Sequence, residues 1–127
     1  MKPRILLAPI FLLVAAFTVR AVEPTPEAIV QKQLEAYNAH DLEAFAATYA
    51  VRGIAQLRER YAPAFADATL HAEIVNRMVV GNTVVDHERV RRRFPEGPGT
   101  LEAIAIYMVE NGKIAKVWFR RGERKLD

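Results

Sequence analysis

The spacing of apolar residues changes once along this chain, at Leu70, and that change constrains the fold more than any other feature. Before it, apolar side chains recur every three or four residues, as on one face of a helix. After it they alternate, as in strands. Two two-residue turn signals, Gly81-Asn82 and Asn111-Gly112, then cut the second part into hairpins. The spacing predicts strands over Leu70–Val80, Thr83–Arg92, Leu101–Glu110 and Lys113–Arg121, with Phe94–Gly99 as a loop. Helices followed by about four antiparallel strands make an α+β architecture.

The helical part reads in detail. Thr25 is a natural N-cap, and Pro26 then sits where its missing N–H costs nothing. Val30, Leu34 and Tyr37 share one face. Asn38-Ala39-His40-Asp41 is a turn, with His40 in water. Asp41 caps a second helix whose stripe is Leu42, Phe45 and Tyr49. A third helix carries Ile54, Leu57 and Tyr61 and is expected to end or kink at Pro63. No strand is expected between the second and third helices, which are bridged by Tyr49–Gly53 alone.

Residues 1–21 read as a separate segment. Lys2 and Arg4 precede the apolar run Ile5–Phe17, and small residues follow at Val19-Arg20-Ala21. A membrane-spanning helix needs roughly 20 apolar residues, so the run is too short. The pattern is that of a secretory signal peptide cut after Ala21, leaving one domain over 22–127 that is periplasmic or secreted and meets the membrane only in transit. The charge argument changes with it. The whole chain has 18 basic and 15 acidic residues. Without Lys2, Arg4 and Arg20 the remainder is neutral, so the basic balance gives no reason to expect nucleic acid as a partner. There is no cysteine, which excludes a thiol nucleophile, a thiolate metal site and a lipid anchor on cysteine.

Two-residue turns set the register, so facing residues can be named. Around Gly81-Asn82, Arg77 faces Asp86, Asn76 faces His87 and Val75 faces Glu88. Around Asn111-Gly112, Ile106 faces Val117, Ile104 faces Phe119 and Glu102 faces Arg121. Both faces of the second hairpin are then apolar. One layer of helices covers a single face, so the other is expected to meet a second copy in a homodimer.

The order of these phrases, AYNAHDLEAFAATYA, then VRGIAQLRERYAPAF, then LHAEIVNRMVVGNTVVDHERV, then EAIAIYMVENGKIAKVWF, resembles the nuclear-transport-factor-2-like superfamily, near its SnoaL-like and ketosteroid-isomerase-like members. The likeness covers roughly residues 27–119. It implies a conical curved sheet packed on three N-terminal helices, an apolar cavity at the wide end, and a homodimer. The chain departs from the isomerase pattern where activity would be decided. The position of the isomerase tyrosine falls at about Gln33, and that of the oxyanion-hole aspartic acid at about Ala105. The segment that would carry the aspartate base, between Ala50 and Val51, is missing. Steroid isomerisation by that route is not expected.

Alternation groups His87 with Asn76, Met78 and Val85 on the face expected to line the cavity. A histidine there would be suited to moving protons. Asp86, opposite Arg77, is a weaker catalytic candidate and reads first as an ion pair at a surface or interface. The candidate ligand contacts are Tyr37, Tyr61, Asn76, Met78, His87 and Phe119. His71 and His87 fall on opposite faces in this register and would share no metal, so neither metal nor cofactor is expected. The runs Arg91–Arg93, Arg120-Arg121 and Arg124-Lys125 read as solvated strand ends. The function expected is an exported domain that binds a small hydrophobic molecule. The alternatives are an isomerase or lyase acting on a hydrophobic carbonyl compound with His87 as general base, and a non-catalytic dimerisation module.

Overall fold

The computed structural model describes residues 2–3, 14–50 and 52–127. Residues 14–25 form neither helix nor strand, and most of the expected signal peptide lies outside the described residues. Among the described residues no helix is long and apolar enough to cross a membrane. Three helices come first: α1 (Pro26–Asn38), α2 (Leu42–Ala46) and α3 (Ile54–Phe65). Four strands follow: β1 (His71–Val80), β2 (Thr83–Phe94), β3 (Gly97–Glu110) and β4 (Lys113–Leu126). They form one antiparallel sheet in chain order, and the helices lie across its inner face.

The helix starts follow the caps. Thr25 Oγ1 accepts from the Ala28 amide at 3.1 Å, and Asp41 Oδ1 from the Ala44 amide at 3.0 Å. His40 is not solvated: its Nε2 donates to the Leu70 carbonyl at 2.7 Å. Beside it, Asn38 clamps the backbone of Ala72 through both its amide atoms, at 2.9 and 2.8 Å. Together they tie the end of α1 to the start of β1, which fixes how the helical layer sits on the sheet.

Pro63 does not end α3, which continues to Phe65. Burial decides this. Phe65 packs into an aromatic cluster centred on Phe45, with ring centroids 5.1 Å apart, and the same Phe45 ring lies 4.8 Å from Tyr61 and 5.2 Å from Tyr49. The carbonyl that loses its donor belongs to Glu59, an exposed residue, so the lost bond is not stranded in the core.

Where α2 ends, the chain makes a single parallel bridge between Tyr49 and Ile114 instead of a strand. The Ala50 amide donates to the Ile114 carbonyl at 2.9 Å, and the Ile114 amide to Thr48 at 2.8 Å. Beyond that bridge the outer edge of β4 is unpaired among the described residues, so the sheet is curved but not closed. Val51 lies outside the described residues.

The expected loop at Phe94–Gly99 is instead a tight hairpin, because Phe94 pairs with Gly97. Gly97 takes φ 136°, a conformation open to glycine. Gly99 serves a different need: a Cβ there would overlap the Lys125 carbonyl oxygen, so only glycine lets β4 run on beside β3. The residues after Arg121, beyond the expected strand, are therefore the last part of β4, and Arg124 and Lys125 are exposed there.

The first hairpin pairs Arg77 with Asp86 and Asn76 with His87 as the turn requires, but Ile74, not Val75, faces Glu88. Val75 is an extra residue in the ladder, a β-bulge. A second register shift, at Ala115, replaces the expected second-hairpin pairs by Ile106–Trp118, Tyr107–Val117 and Ala105–Phe119. A one-residue slip moves every side chain beyond it to the other face. Phe119 and Arg121 consequently join Ala103, Ala105 and Tyr107 on the inner face.

Candidate functional site

The inner face of β2 carries Val84, Asp86, Glu88 and Val90, all buried. This reverses the sequence-based assignment, which put His87, Asn76, Met78 and Val85 inside. The bulge at Val75 supplies the reason: it leaves Ile74 facing Glu88 on the inner side and turns Asn76 and Met78 outward. Asn76 and Met78 are exposed. His87 lines a shallow outer groove with Ile104 and Arg120, and its Nε2 lies 2.9 Å from Glu102 Oε2. His71 pairs with Arg91, four residues from His87 on the same strand, so both histidines sit on the outer face rather than on opposite faces. Among the described residues no group of three acidic or histidine side chains is placed to hold a metal.

A cavity opens between the helices and the inner face. Its volume, as the space open to the centre of a water molecule, is about 80 Å³, and it opens to solvent at one side. Tyr37 and Gln33 of α1 and Tyr61 of α3 line it from above, and Glu88, Arg92, Tyr107, Phe119 and Arg121 from the sheet. Of the expected ligand contacts, Tyr37, Tyr61 and Phe119 are brought together here. Asn76, Met78 and His87 are on the far side of the sheet. Gln33 is buried and donates to the Tyr49 hydroxyl at 3.2 Å. Ala105 is fully buried on the inner face, so neither position assigned to an oxyanion hole supplies a donor carboxyl or phenol.

Two carboxyl groups on the inner face of β2 differ in their partners. Asp86 is 1 % exposed and accepts from Arg77 at two points, Nε to Oδ1 at 2.7 Å and Nη2 to Oδ2 at 2.9 Å. The third Arg77 contact, Nη1 to Gln31 Oε1 at 2.9 Å, ties the pair to α1. This is the ion pair expected from the sequence, but it lies beneath a helix rather than at a surface. Glu88 is 8 % exposed and takes part in no side-chain hydrogen bond or salt bridge among the described residues. Burial pushes its carboxyl up to about 7, helped by the Asp86 charge and opposed by Arg121 and Arg77. Burial also pushes the hydroxyls of Tyr37, Tyr61 and Tyr107 up, so they remain neutral donors. The Glu88 charge acts in the same direction on all three.

Glu88 had no place among the sequence candidates. The one signal for it was position: it shares the alternation of Asp86 and Val84, and an acidic pair inside a run of apolar strand residues is costly unless something holds it. The arrangement can do two things. The aromatic walls exclude water and receive an apolar body. The carboxyl at the floor, poised between its two protonation states near neutral pH, can give or take a proton.

A curved, unclosed antiparallel sheet under three N-terminal helices, with a cavity between the layers, is the nuclear-transport-factor-2-like fold. The chain belongs to the SnoaL-like domain family, whose model matches residues 30–117. Solved structures agree. A SnoaL-like polyketide cyclase from Agrobacterium tumefaciens is similar at TM-score 0.70 and 15% identity, over 79% of this chain and 93% of that one. An uncharacterized cystatin fold protein from Novosphingobium aromaticivorans is similar at TM-score 0.69 and 24% identity, over 77% and 99%. An NTF2-like protein of unknown function from Cytophaga hutchinsonii is similar at TM-score 0.66 and 14% identity, over 81% and 95%. At these identities the likeness is one of fold. No match is found among curated proteins.

Proposed function

We propose that this protein binds a small, largely apolar molecule in the cavity between helices and sheet, and that Glu88 moves a proton on it. The observation that carries the proposal is a buried, unpartnered carboxyl at the floor of an aromatic cavity. In the carboxylate form Glu88 takes a proton from carbon beside a carbonyl group. A neutral phenol, from Tyr37, Tyr61 or Tyr107, donates a hydrogen bond to the carbonyl oxygen as charge builds there. The protonated carboxyl then returns the proton to another carbon of the enolate, which completes an isomerisation, or to the oxygen left negative when the enolate carbon closes a ring on a second carbonyl, so no other reactant is needed. Glu88 takes the role that the sequence assigned to His87, because His87 is on the opposite face from the aromatic walls.

The test is a screen of apolar carbonyl compounds by thermal shift, followed by turnover of those that bind. Glu88→Gln is expected to keep binding and to lose turnover by about 100-fold or more, the usual worth of a positioned acid or base. Turnover that survives Glu88→Gln would sink the catalytic part. A second reading, binding without reaction, is favoured by Gln33 and Ala105, which offer no oxyanion-stabilising acid. It predicts ligands that bind tightly and leave unaltered. The same proposal takes the mature chain to be exported and paired. Support comes from the leader pattern and from the outer row Met78, Val85, Ile106 and Trp118, in which Met78 is 57 % and Trp118 49 % exposed. N-terminal sequencing of the exported form and light scattering of the mature chain test these two points.

A further inference from the structure

Five of the thirteen arginines are paired among the described residues. Arg58, Arg77, Arg89, Arg91 and Arg124 each meet a carboxylate. Arg92 and Arg121, which line the cavity, are in no salt bridge among the described residues. Arg92 goes further. Its Nε is a fully buried donor with no hydrogen-bond partner. A buried donor without an acceptor is costly, and native structures rarely keep one without cause.

Both guanidinium groups are held without help from an acid. Arg92 lies 5.8 Å from the centroid of the Phe94 ring, and Arg121 lies 5.0 Å from that of Phe119. The Arg92 charge is felt inside the cavity: burial raises the Tyr37 and Tyr61 hydroxyls, and Arg92 acts against that rise. Glu88, the one acidic residue in the lining, hydrogen-bonds to neither arginine. The lining thus carries two positive groups against one carboxyl among aromatic walls.

We infer that the molecule taken by this cavity is an apolar carboxylic acid, its carboxylate received by Arg92 and its body lying among Tyr37, Tyr61 and Phe119. The inference rests on the cavity being the binding site and adds the chemical class of what enters it. The Arg92 guanidinium takes part in no side-chain hydrogen bond or salt bridge among the described residues, and a planar two-oxygen carboxylate matches the fork of its terminal nitrogens. Arg121 adds favourable charge at the same lining without being the seat.

The experiment pairs an acid with its neutral isostere. The protein is titrated with 2-naphthoate and with 2-naphthamide by calorimetry, at one pH and ionic strength. 2-Naphthoate is expected to bind at least about tenfold more tightly, the scale of one charge-assisted pair. Arg92→Gln is expected to erase that preference while leaving 2-naphthamide within about twofold of its original affinity. Arg92→Lys keeps the charge and is expected to keep part of the preference, which separates lost charge from a damaged fold. Arg121→Gln is expected to weaken 2-naphthoate by less. Equal affinity for the two compounds, or a preference that survives Arg92→Gln, overturns the inference and leaves the cavity reading intact. If neither compound binds, the cavity reading falls with it.

Discussion

Arg77 holds Asp86 by two hydrogen bonds, at 2.7 and 2.9 Å, with the aspartate 1 % exposed and the arginine side chain 13 % exposed. Two residues further along the same strand face, Glu88 has no such partner. The pair sets the site, since the charge on Asp86 is one of the two causes that lift Glu88. It also makes a stability prediction. Removing one partner leaves the other charge buried and alone, at a cost of about 3–5 kcal/mol. Asp86→Asn should therefore lower the urea midpoint sharply, whereas the double variant Arg77→Met, Asp86→Leu should recover most of the loss. Additive losses in that cycle would show that the pair is not coupled.

The dependence of stability on pH follows from Glu88. Its folded value is raised to about 7 from 4.5. The folded chain therefore holds this proton more tightly than the unfolded one. The sign is a loss of stability as pH rises, beginning near the unfolded value and complete above the folded one. The size is about 3 kcal/mol between acid and mild alkali, to order of magnitude. Glu88→Gln should flatten the fall between pH 5 and pH 8 and should make the protein more stable at the alkaline end. An unchanged slope in that variant would place the titrating group elsewhere.

The aromatic cluster bears on both stability and the cavity. Phe45 is fully buried and touches the rings of Tyr37, Tyr49, Tyr61 and Phe65. Phe45→Ala should cost about 3–5 kcal/mol by chemical denaturation. Because Tyr37 and Tyr61 lean on that ring and line the cavity, the same change should weaken ligand binding even where the fold survives.

Gly99→Ala tests the close approach of the last two strands. A methyl group there meets the Lys125 backbone, and overpacking of this kind costs about 1–3 kcal/mol. Amide exchange at Lys125 and Leu126 should accelerate, while exchange at Ile106 and Tyr107 should not.

His87→Ala separates the two faces of the sheet. His87 pairs with Glu102 on the outer side, so its removal should leave binding in the cavity unchanged within about twofold and change stability by less than about 1 kcal/mol, as for exposed pairs. A large loss of binding would return His87 to the site.

How far the sequence could be read differs by element. The caps at Thr25 and Asp41 and the turns at Gly81-Asn82 and Asn111-Gly112 follow from a few neighbouring residues, and the structure has all of them. The helix continuing past Pro63 and the strand running through Gly99 have one reason in common. In each case a distant contact outweighs the local preference: Phe65 in the aromatic cluster, and Lys125 on the neighbouring strand.

The inside of the sheet was the larger gap. Alternation names two faces but cannot tell which is buried when both are apolar. Here Val75 and Ala115 each add a residue to a ladder, and each addition exchanges the faces beyond it. Neither bulge has a glycine or proline to mark it. The sequence by itself determined the order of helices and hairpins and the family to which they belong, because caps, turns and periodicity act over a few residues. Only the tertiary structure decided that Glu88 rather than His87 faces the cavity, and that Arg92 and Arg121 stand beside it. That choice depends on two one-residue register shifts and on which side of the sheet α1 covers, and packing across the whole domain settles both.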